Sequence, residues 1–390
     1  WGVGDHTIRS ITSYRDWNND TFESALRLPG DLLNRVTAYD TETVSQELQL
    51  LSPVGDYLEY VAGLYYYDEK YNIDQQFDLG AAFCPAVRNL VTAGSGNPAF
   101  GNAALAQCDA GAKTGAINSL FEQELTSLAA FGQLTLNIDE RLRLTGGLRW
   151  TRDDKEGSFD QAVPNIILLP PTLNPLGINL RTIDSAPDLA FKETKATWMA
   201  NVSYDVTDNV MAFASVSTGF KSGGFNSDGA NTVIPRVFES ETVDNYEMGM
   251  KSYLLQNRLL ANLSVFRTNI DNFQDRQFDG VNFIVQNVGE LTQSGVEMDI
   301  QAQPNANLFM VAGASYLDSE FKSFPNATNL PAVVAAAQAA GVTPPPRDLA
   351  GERNHFSPKW QLSFMGEWRD RLGTTGMGWF VRGEYQHTSS

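Results

Sequence analysis

The dominant feature of the chain is an alternation of apolar and polar residues with a period of two, repeated many times along its length. Within residues 141–151, Leu144 and Leu148 fall on one side of the alternation, whereas Arg143 and Arg149 fall on the other. Successive side chains of a β-strand point to opposite faces, so this period predicts strands with one apolar and one polar face. The same period recurs in residues 197–206, 296–303 and 360–369.

The predicted strands are long, at roughly ten to fourteen residues, and there are about thirteen of them. They cover residues 6–18, 43–52, 57–71, 126–138, 141–153, 192–206, 210–221, 242–254, 258–275, 281–303, 308–322, 357–369 and 376–388. Strands of soluble proteins average about five to six residues, whereas about ten tilted residues cross a bilayer. The strand length therefore favours a sheet that spans a membrane over a soluble sandwich.

Aromatic residues near the strand ends support the same interpretation. Outer-membrane barrels carry girdles of aromatic side chains at both membrane interfaces. In this chain the apolar face of the predicted strands ends in Trp150, Trp198, Tyr204, Trp360, Trp368, Trp379 and Tyr385.

The connections between the strands alternate between short and long. Short turns are predicted at residues 53–56, 139–140, 207–209, 255–257, 304–306 and 370–375. Long connections are predicted at residues 19–42, 72–125, 154–191, 222–241 and 323–356. The connection at Asp279–Gly280 is short where a long one is expected. Short periplasmic turns and long external loops are typical of outer-membrane barrels, so the long loops are expected outside the cell.

These patterns together predict an all-β fold, a transmembrane antiparallel up-and-down β-barrel, with residues 1–390 forming one barrel portion. An odd and open set of strands would leave two unpaired edges in lipid, which is not tolerated. We therefore expect the barrel to continue before residue 1 or after residue 390. No run of 18 apolar residues exists, so no transmembrane helix is predicted.

The net charge of the 390 residues is −18, with an isoelectric point near 4.5. A chain this acidic is repelled by phosphate backbones, so no nucleic-acid partner is expected. Solvation of long loops is the plainer explanation of the acidity. The hydrophobic fraction of 42% argues against intrinsic disorder.

Several segments resemble the TonB-dependent receptor family and follow its order along the chain. They include SQELQLLSP at residues 45–53, FGQLTLNIDERLRLTGGLRWTRDDKE at residues 131–156 and ASVSTGFKSGGFN at residues 214–226. Three more segments begin at Phe238, Phe266 and Asn287: FESETVDNYEMGMKS, FRTNIDNFQD and NVGELTQSGVEMDI. Within the last of them, Gly295 predicts a bend or a close approach between strands.

The resemblance implies a 22-stranded barrel in the outer membrane of a Gram-negative bacterium, of which this chain holds about thirteen strands. It implies an N-terminal plug domain, a short box that contacts TonB, and a ligand site between the loops and the plug. The plug, the box and the closing strands are not expected in this chain.

The implied function is TonB-coupled import of a scarce nutrient, foremost a ferric siderophore or a similar chelate. The implied partners are TonB, outer-membrane lipid with lipopolysaccharide, and the small nutrient ligand. A passive porin-like or adhesin-like barrel is the alternative.

Basic residues on the predicted lumen face are the candidates for contact with an anionic ligand. They are Arg149, Lys221, Arg267 and Arg382. Charge pairing with lumen carboxylates is the alternative role for these residues. Parity also places Glu241, Glu247 and Lys251 on the lumen face.

The two cysteines, Cys84 and Cys108, lie in one polar segment rich in Gly and Ala, without a CxxC pattern or a nearby His. This composition argues against a zinc site. A disulfide that closes an external loop in an oxidising compartment is predicted, with two unpaired thiols as the alternative.

No enzymatic chemistry is expected. The three histidines are far apart in sequence, and the chain contains no GxSxG, P-loop, HExxH or GxGxxG motif. Neither a cofactor nor a metal site is predicted. The acidic residues Asp153, Asp154, Glu156 and Asp160 could bind calcium, but they do not match an EF-hand, and a solvated loop base explains them better.

Overall fold

The computed structural model describes residues 1–24, 30–55, 57–164, 183–228, 235–278, 283–325 and 344–389, with a few positions between 327 and 342. Its helices are α1 (Phe83–Ser95) and α2 (Pro98–Ala110). Its strands are β1 (Gly2–Val3), β2 (His6–Ser24), β3 (Leu33–Leu51), β4 (Leu58–Leu79), β5 (Ile117–Asn137), β6 (Leu142–Ala162), β7 (Asp184–Thr207), β8 (Val210–Lys221), β9 (Gly224–Phe225), β10 (Val237–Phe238), β11 (Glu241–Leu254), β12 (Leu259–Asp271), β13 (Gln274–Phe278), β14 (Phe283–Asn287), β15 (Glu290–Ala302), β16 (Leu308–Ser323), β17 (Trp360–Arg371) and β18 (Gly378–Thr388).

Fourteen strands form one antiparallel sheet in which neighbours in sequence are neighbours in space. The order is β1-β2-β3-β4-β5-β6-β7-β8-β11-β12-β15-β16-β17-β18. Two small hairpins, β9–β10 and β13–β14, stand apart from it. Apart from the two-residue β1, the sheet strands correspond to the thirteen predicted ones. The up-and-down antiparallel fold predicted from the alternation is therefore confirmed.

The strands from β2 to β7 are longer than predicted. They contain 19 to 24 residues, against 11 to 16 in the main-sheet strands β8, β11, β12 and β15 to β18. The predicted bounds stopped where the apolar alternation stopped, but backbone pairing continues beyond that point. In β4 it continues to Leu79, which pairs with Leu33 of β3.

The alternation of short and long connections holds along the described sheet, and one prediction about it was wrong. The short connection predicted at Asp279–Gly280 is part of a long connection between β12 and β15. Strand β12 ends at Asp271, where the chain leaves the sheet, and β15 resumes at Glu290 as the partner of Asp271. Between them β13 pairs with β14. Residues 279–282 lie outside the described residues.

The main sheet has two faces of different character, which we call the outer and inner faces. Cross-strand partners share a face, so the register traces the outer face from Gly132 to Leu148 and on to Trp198. Outer-face side chains are apolar and exposed, with Leu148 at 61% and Met248 at 64%. The residues that alternate with them along the strands, such as Arg149 and Glu247, form the inner face, and their side chains are less exposed.

Closely packed apolar clusters lie beyond one end of the sheet rather than within it. Helices α1 and α2 form a hairpin whose residues Val87, Val91 and Ala104 pack with Phe77 and Ile117 at the outer ends of β4 and β5. The two helices therefore occupy much of the long connection predicted at residues 72–125. Within the described residues, no helix is both long enough and apolar enough to cross a membrane.

Several inner-face glycines lie directly opposite an aromatic residue. Gly295 pairs with Phe266, and a Cβ added at Gly295 would lie 2.6 Å from that ring. Gly249 faces Phe213 in the same way, with a distance of 2.7 Å. The register of β15 runs through Gly295 without a bulge. The glycine therefore serves a close approach, which is one of the two roles predicted for it.

Candidate ligand-binding surface

Arg149 lies on the inner face of β6 among aromatic rings. Its guanidinium carbon is 5.4 Å from the ring centre of Tyr65 and 5.7 Å from that of Phe131. Its Nε donates a hydrogen bond to Thr151 Oγ1 at 3.1 Å. The strand register explains this grouping, since Phe131 is the direct partner of Arg149 on β5. The site combines a cation with flat apolar surfaces, which suits an anionic ligand that carries rings.

Lys221 and Arg382 also occupy inner-face positions, but they lie apart from each other. Lys221 ends β8 opposite Glu241, and its side chain is exposed. Arg382 lies on the edge strand β18 opposite Glu367, and its guanidinium pairs with Glu384. Arg382 therefore makes the charge pairing that was the alternative to ligand contact. Lys221 is separated from Arg149 by β7 alone.

Arg267 does not face the lumen, contrary to its prediction. Its direct partners across the sheet are Tyr246 and Ser294, and it alternates with Phe266 on the inner face. The prediction took basic character as the sign of a lumen position, whereas strand parity places Arg267 beside Val265 on the outer face. It is accordingly no part of an inner-face site.

Carboxylates line the inner face of β11 and β15. A cavity of about 540 Å³ is lined by Glu247, Glu297, Asp299 and Lys251. The amine of Lys251 lies 5.7 Å from the ring centre of Phe213. The register confirms the lumen-side parity predicted for Glu247 and Lys251. Glu297 and Asp299 share that parity and were not selected as candidates, although the alternation was a sufficient signal for their face.

Gln274 joins three segments at the extracellular ends of the strands. Its backbone N–H donates to Glu241 Oε2 at 2.8 Å. Its side-chain amide donates to the carbonyls of Ser222 at 3.1 Å and Glu239 at 2.9 Å. The hairpin β13–β14 is thereby tied to the end of β8 and to the start of β11. Glu241 is consequently buried as a structural acceptor.

Two asparagines complete this connection. Asn226 mimics a strand, since its Nδ2 donates to the carbonyl of Val285 at 2.9 Å and its Oδ1 accepts from the N–H of Val285 at 2.7 Å. Asn287 donates to the carbonyls of Glu239 and Asn272, both at 2.9 Å. Sequence reasoning missed these amides because their partners lie 15 to 59 residues away, with no local signal.

Arg236 is a largely buried cation at the extracellular end of the sheet. Its guanidinium carbon lies 3.9 Å from the ring centre of Phe159 and its Nη2 pairs with Asp184. Its Nη1 donates to the carbonyl of Asn226 at 2.9 Å. Burial lowers the pKa of the Arg236 guanidinium, and the charge of Asp184 opposes that shift. The residue holds the loop rather than offering a free charge to a ligand.

Asp275 on the hairpin β13–β14 is a half-buried carboxyl near His355. Burial raises its pKa above the usual range of an aspartate. The N–H of Arg276 and the charge of His355 oppose the shift. His355 belongs to the connection between β16 and β17, so this electrostatic interaction acts between two external loops.

Cys84 on α1 and Cys108 on α2 are joined by a disulfide, with their Cα atoms 5.7 Å apart. The amine of Lys113 lies beside them and donates to the carbonyl of Cys108 at 2.8 Å and to Asp109 at 3.0 Å. The bridge thus joins two helices, not a loop without secondary structure. Its formation in the cell stays a prediction.

The acidic run that was considered for calcium is part of strand β6. Asp153 lies on the inner face, whereas Asp154 and Glu156 lie on the outer face, where Lys192 pairs with both. Asp153 therefore lies on the other side of the sheet from the rest of the run, and Asp154 and Glu156 are already occupied by Lys192. Within the described residues, no group of three or more His, Cys, Asp or Glu side chains could hold a metal ion.

Residues 1–390 match the sequence model of one family, described as "TonB dependent receptor-like, beta-barrel". A probable TonB-dependent siderophore receptor, PiuA of Acinetobacter baumannii, is 24% identical over 206 residues. That alignment covers 51% of this chain and 25% of the relative.

Solved structures show the same fold. The ferric yersiniabactin uptake receptor FyuA of Yersinia pestis matches with a TM-score of 0.71 and 15% identity. The match covers 100% of this chain and 48% of that receptor. The siderophore receptor PiuA of Acinetobacter baumannii matches with a TM-score of 0.59 and 17% identity, over 94% of this chain and 50% of that one. The chain thus spans about half the length of these receptors and a quarter of the curated relative.

Proposed function

The chain belongs to the family of TonB-dependent receptor β-barrels of the Gram-negative outer membrane, and on that premise we propose that the complete protein imports an anionic metal chelate, foremost a ferric siderophore. The observation that carries the proposal is the inner-face position of Arg149 over the rings of Tyr65 and Phe131. The similarity to FyuA, a ferric yersiniabactin uptake receptor, and to PiuA, a siderophore receptor, supports the same class of ligand.

The chemistry of the Arg149 site fits a chelate better than a simple sugar or a bare cation. A guanidinium donates several hydrogen bonds in a plane to the oxygens of an anion. The neighbouring rings offer flat apolar surface to the organic part of the chelator. Lys221 on β8 adds an exposed cation two strands further along the same face.

Energy for this import is proposed to come from TonB. A barrel of this width needs a plug to keep the membrane tight, and a plugged barrel does not pass a bulky ligand passively. The outer membrane has neither a nucleotide supply nor an ion gradient of its own. Work therefore has to arrive through a partner anchored in the inner membrane.

Uptake of radioactive iron by cells tests the proposal. Cells that express the full-length protein receive iron-labelled ferric catecholate and ferric hydroxamate, with and without a functional TonB. We expect accumulation of at least one chelate in the TonB-positive cells alone. Equal uptake in both strains would overturn active import and favour the passive porin-like alternative.

The variant Arg149→Gln tests the ligand site itself. We expect weaker binding of the accepted chelate to whole cells by about tenfold, since a charge-assisted hydrogen bond is lost. Arg258→Gln, in the short turn before β12, is the matched control and should bind as the unaltered protein does. Unchanged binding by Arg149→Gln would reject this residue while leaving TonB-dependent import intact.

A further inference from the structure

Strand β7 loses one of its two neighbours partway along its length. Its pairing with β8 runs from Thr207 to Met199 and stops there, whereas its pairing with β6 continues to Asp184. Where β7 and β8 separate, the backbone N–H of Trp198 donates to the side-chain oxygen of Thr218 at 3.0 Å instead of to a backbone carbonyl. Among the described residues, no strand lies beside this edge of β7 beyond Trp198.

The segment that follows β8, residues 222–226, does not fill this position, because it turns onto the inner face of the sheet. The carbonyl of Gly223 accepts a hydrogen bond from the amine of Lys155 at 2.5 Å. A Cβ added at Gly223 would lie 2.5 Å from the ring of Phe191, and Phe225 packs with Phe159. All three contacted side chains have inner-face parity, so the segment passes across the inner face rather than along the edge of β7.

The backbone groups of this edge belong to every second residue of β7. In antiparallel pairing, alternate residues direct their N–H and C=O groups to opposite sides of the strand. The N–H of Asp205 donates to the carbonyl of Arg141, next to the start of β6, at 2.9 Å. From there the register with β6 runs without a shift to Leu189. The residues whose N–H and C=O groups point to the open edge are therefore the even-numbered ones, Ala190, Lys192, Thr194 and Ala196.

The edge from Ala190 to Ala196 is accessible and its backbone groups have no partners. All four edge residues are exposed. Within the described residues, none of their edge-facing N–H or C=O groups makes a hydrogen bond. The edge is about 20 Å long, at about 3.3 Å per residue. Unpaired backbone groups at this spacing form a template for another strand.

The outer face beside this edge is acidic. Its carboxylates on β5 and β6 include Glu122, Glu124, Asp154 and Glu156. Lys192 already pairs with two of them, at 3.2 and 3.9 Å. The whole chain carries a net charge of −18. Such a field attracts a basic polypeptide and repels an acidic one.

We propose that the edge of β7 from Ala190 to Ala196 binds an extended, basic segment of a separate polypeptide, which adds to the sheet as one further strand. Main-chain hydrogen bonds to the edge supply the affinity, and the acidic outer face selects a segment rich in lysine or arginine. The edge lies on the side of the long connection between β6 and β7, so the partner approaches from outside the cell. Arg149 takes no part, and the interaction is separate from chelate import.

A synthetic strand peptide tests the proposal with the full-length protein in nanodiscs. The probe has about seven residues of alternating valine and threonine between terminal lysines, and fluorescence anisotropy measures its binding. The same peptide with N-methyl groups on its central residues cannot donate hydrogen bonds and should bind about tenfold more weakly. A peptide with glutamates in place of the lysines should also bind about tenfold more weakly.

Proline at the edge tests the same contact from the side of the protein. Thr194→Pro removes an N–H that points to the open edge and leaves the bonds to β6 in place, so it should weaken peptide binding by about tenfold. Thr194→Val keeps the N–H and is the matched control, which should bind as the unaltered protein does. Heat-dependent mobility in gels verifies that both variants retain the barrel.

Amide hydrogen exchange, read residue by residue, decides the mode of binding. The peptide should slow exchange at Lys192 and Thr194, whereas Glu193 and Lys195 face β6 and should be protected with or without it. Unchanged exchange at the edge amides, or equal binding of the N-methylated peptide, would overturn the proposal. Edge protection that appears without peptide and rises with protein concentration would also overturn it, because it assigns the edge to a second copy of the chain.

Discussion

The two halves of the sheet differ in how far their strands extend. Strands β2 to β7 contain 19 to 24 residues, whereas the later strands of the main sheet contain 11 to 16. About ten tilted residues suffice to cross the hydrocarbon core. The short-stranded half therefore ends close to the membrane surface, while the long-stranded half continues outward as an extracellular wall.

The outer face of the long-stranded half shows where the membrane ends. It is apolar up to Trp150, and charged pairs follow. Lys70 lies 3.3 Å from Glu124, and Lys192 lies 3.2 Å from Asp154. Exposed pairs of this kind contribute little stability, so they mark a surface in water rather than a source of folding energy.

Buried contacts on the inner side of this wall stabilise the pairing of the long strands. Phe121, Phe159 and Phe225 form a buried cluster beyond the membrane level. The helical hairpin α1–α2 packs on the ends of β4 and β5. In the short-stranded half a buried apolar cluster that includes Leu291, Phe321 and Phe324 lies at the extracellular ends of β15 and β16. There the amides of Gln274, Asn226 and Asn287 also connect the loops. Apolar packing thus supports both halves, and side-chain hydrogen bonds add to it in the short-stranded half.

The largest expected effect comes from a charge on the outer face at membrane level. Leu144→Arg in the long-stranded half and Leu362→Arg in the short-stranded half should each lower the free energy of unfolding by about 2–4 kcal/mol. Ser158→Arg, on the outer face of the extracellular wall, should cost far less because it stays in water. Unfolding by guanidinium of the protein in bilayers measures all three. Similar costs at all three positions would remove the distinction between wall and membrane.

The disulfide should matter most for the helical hairpin. Replacing both Cys84 and Cys108 by Ala should lower the local stability of α1–α2 by about 3 kcal/mol, since a 24-residue separation is no longer constrained in the unfolded segment. Hydrogen exchange of the hairpin measures the loss, with β17 as an internal reference. Thiol labelling of both cysteines in the non-reduced protein would contradict the prediction.

Adding a side chain at an inner-face glycine should lower the free energy of unfolding by somewhat less than loss of the disulfide lowers the stability of the helical hairpin. Gly295→Ala places a methyl group against the ring of Phe266 and should lower the free energy of unfolding by about 1–3 kcal/mol. Gly146→Ala is the matched control, since the nearest atom to its added Cβ is the carbonyl oxygen of Met199 at 4.0 Å. Equal denaturation midpoints for the two variants would show that the ring yields without cost.

The smallest expected effect concerns pH and the hairpin β13–β14. Burial raises the pKa of Asp275 in the folded protein, so its protonated form is favoured there. The hairpin should therefore be most protected below the ordinary pKa of an aspartate, about 4, and lose protection as pH rises through the raised value. Hydrogen exchange as a function of pH measures this, and Asp275→Asn should remove the dependence.

Asp139 provides a control of opposite sign. The N–H groups of Arg141 and Leu142 donate to this carboxylate in the turn between β5 and β6, which lowers its pKa. Its contribution is present above the ordinary pKa and is lost as pH falls through the lowered value. Loss of protection in both segments in the same direction would contradict the assignment for Asp275.

The sequence alone determined thirteen of the fourteen strands of the main sheet, their antiparallel order, and the alternation of short and long connections everywhere except between β12 and β15. These features follow from the two-residue period and from turn residues, both of which are local. They also determined the inner-face position of Arg149, because it alternates with Leu148 in an unbroken strand. The same local rule, applied strictly, would have placed Arg267 beside Val265 on the outer face.

Tertiary structure decided what lies beyond the apolar band. The extension of β4 to Leu79 depends on pairing with Leu33 of β3 and on packing under the helical hairpin, and neither partner is close in sequence. The bonds of Asn226 to Val285 likewise join residues 59 positions apart. Every strand that crosses the lipid must carry apolar side chains at its lipid-facing positions. The membrane-spanning part of each strand can therefore be recognised in the sequence by its two-residue alternation. In water no such period is required, and only the packed arrangement of distant segments determines which strands continue and which loops close over them.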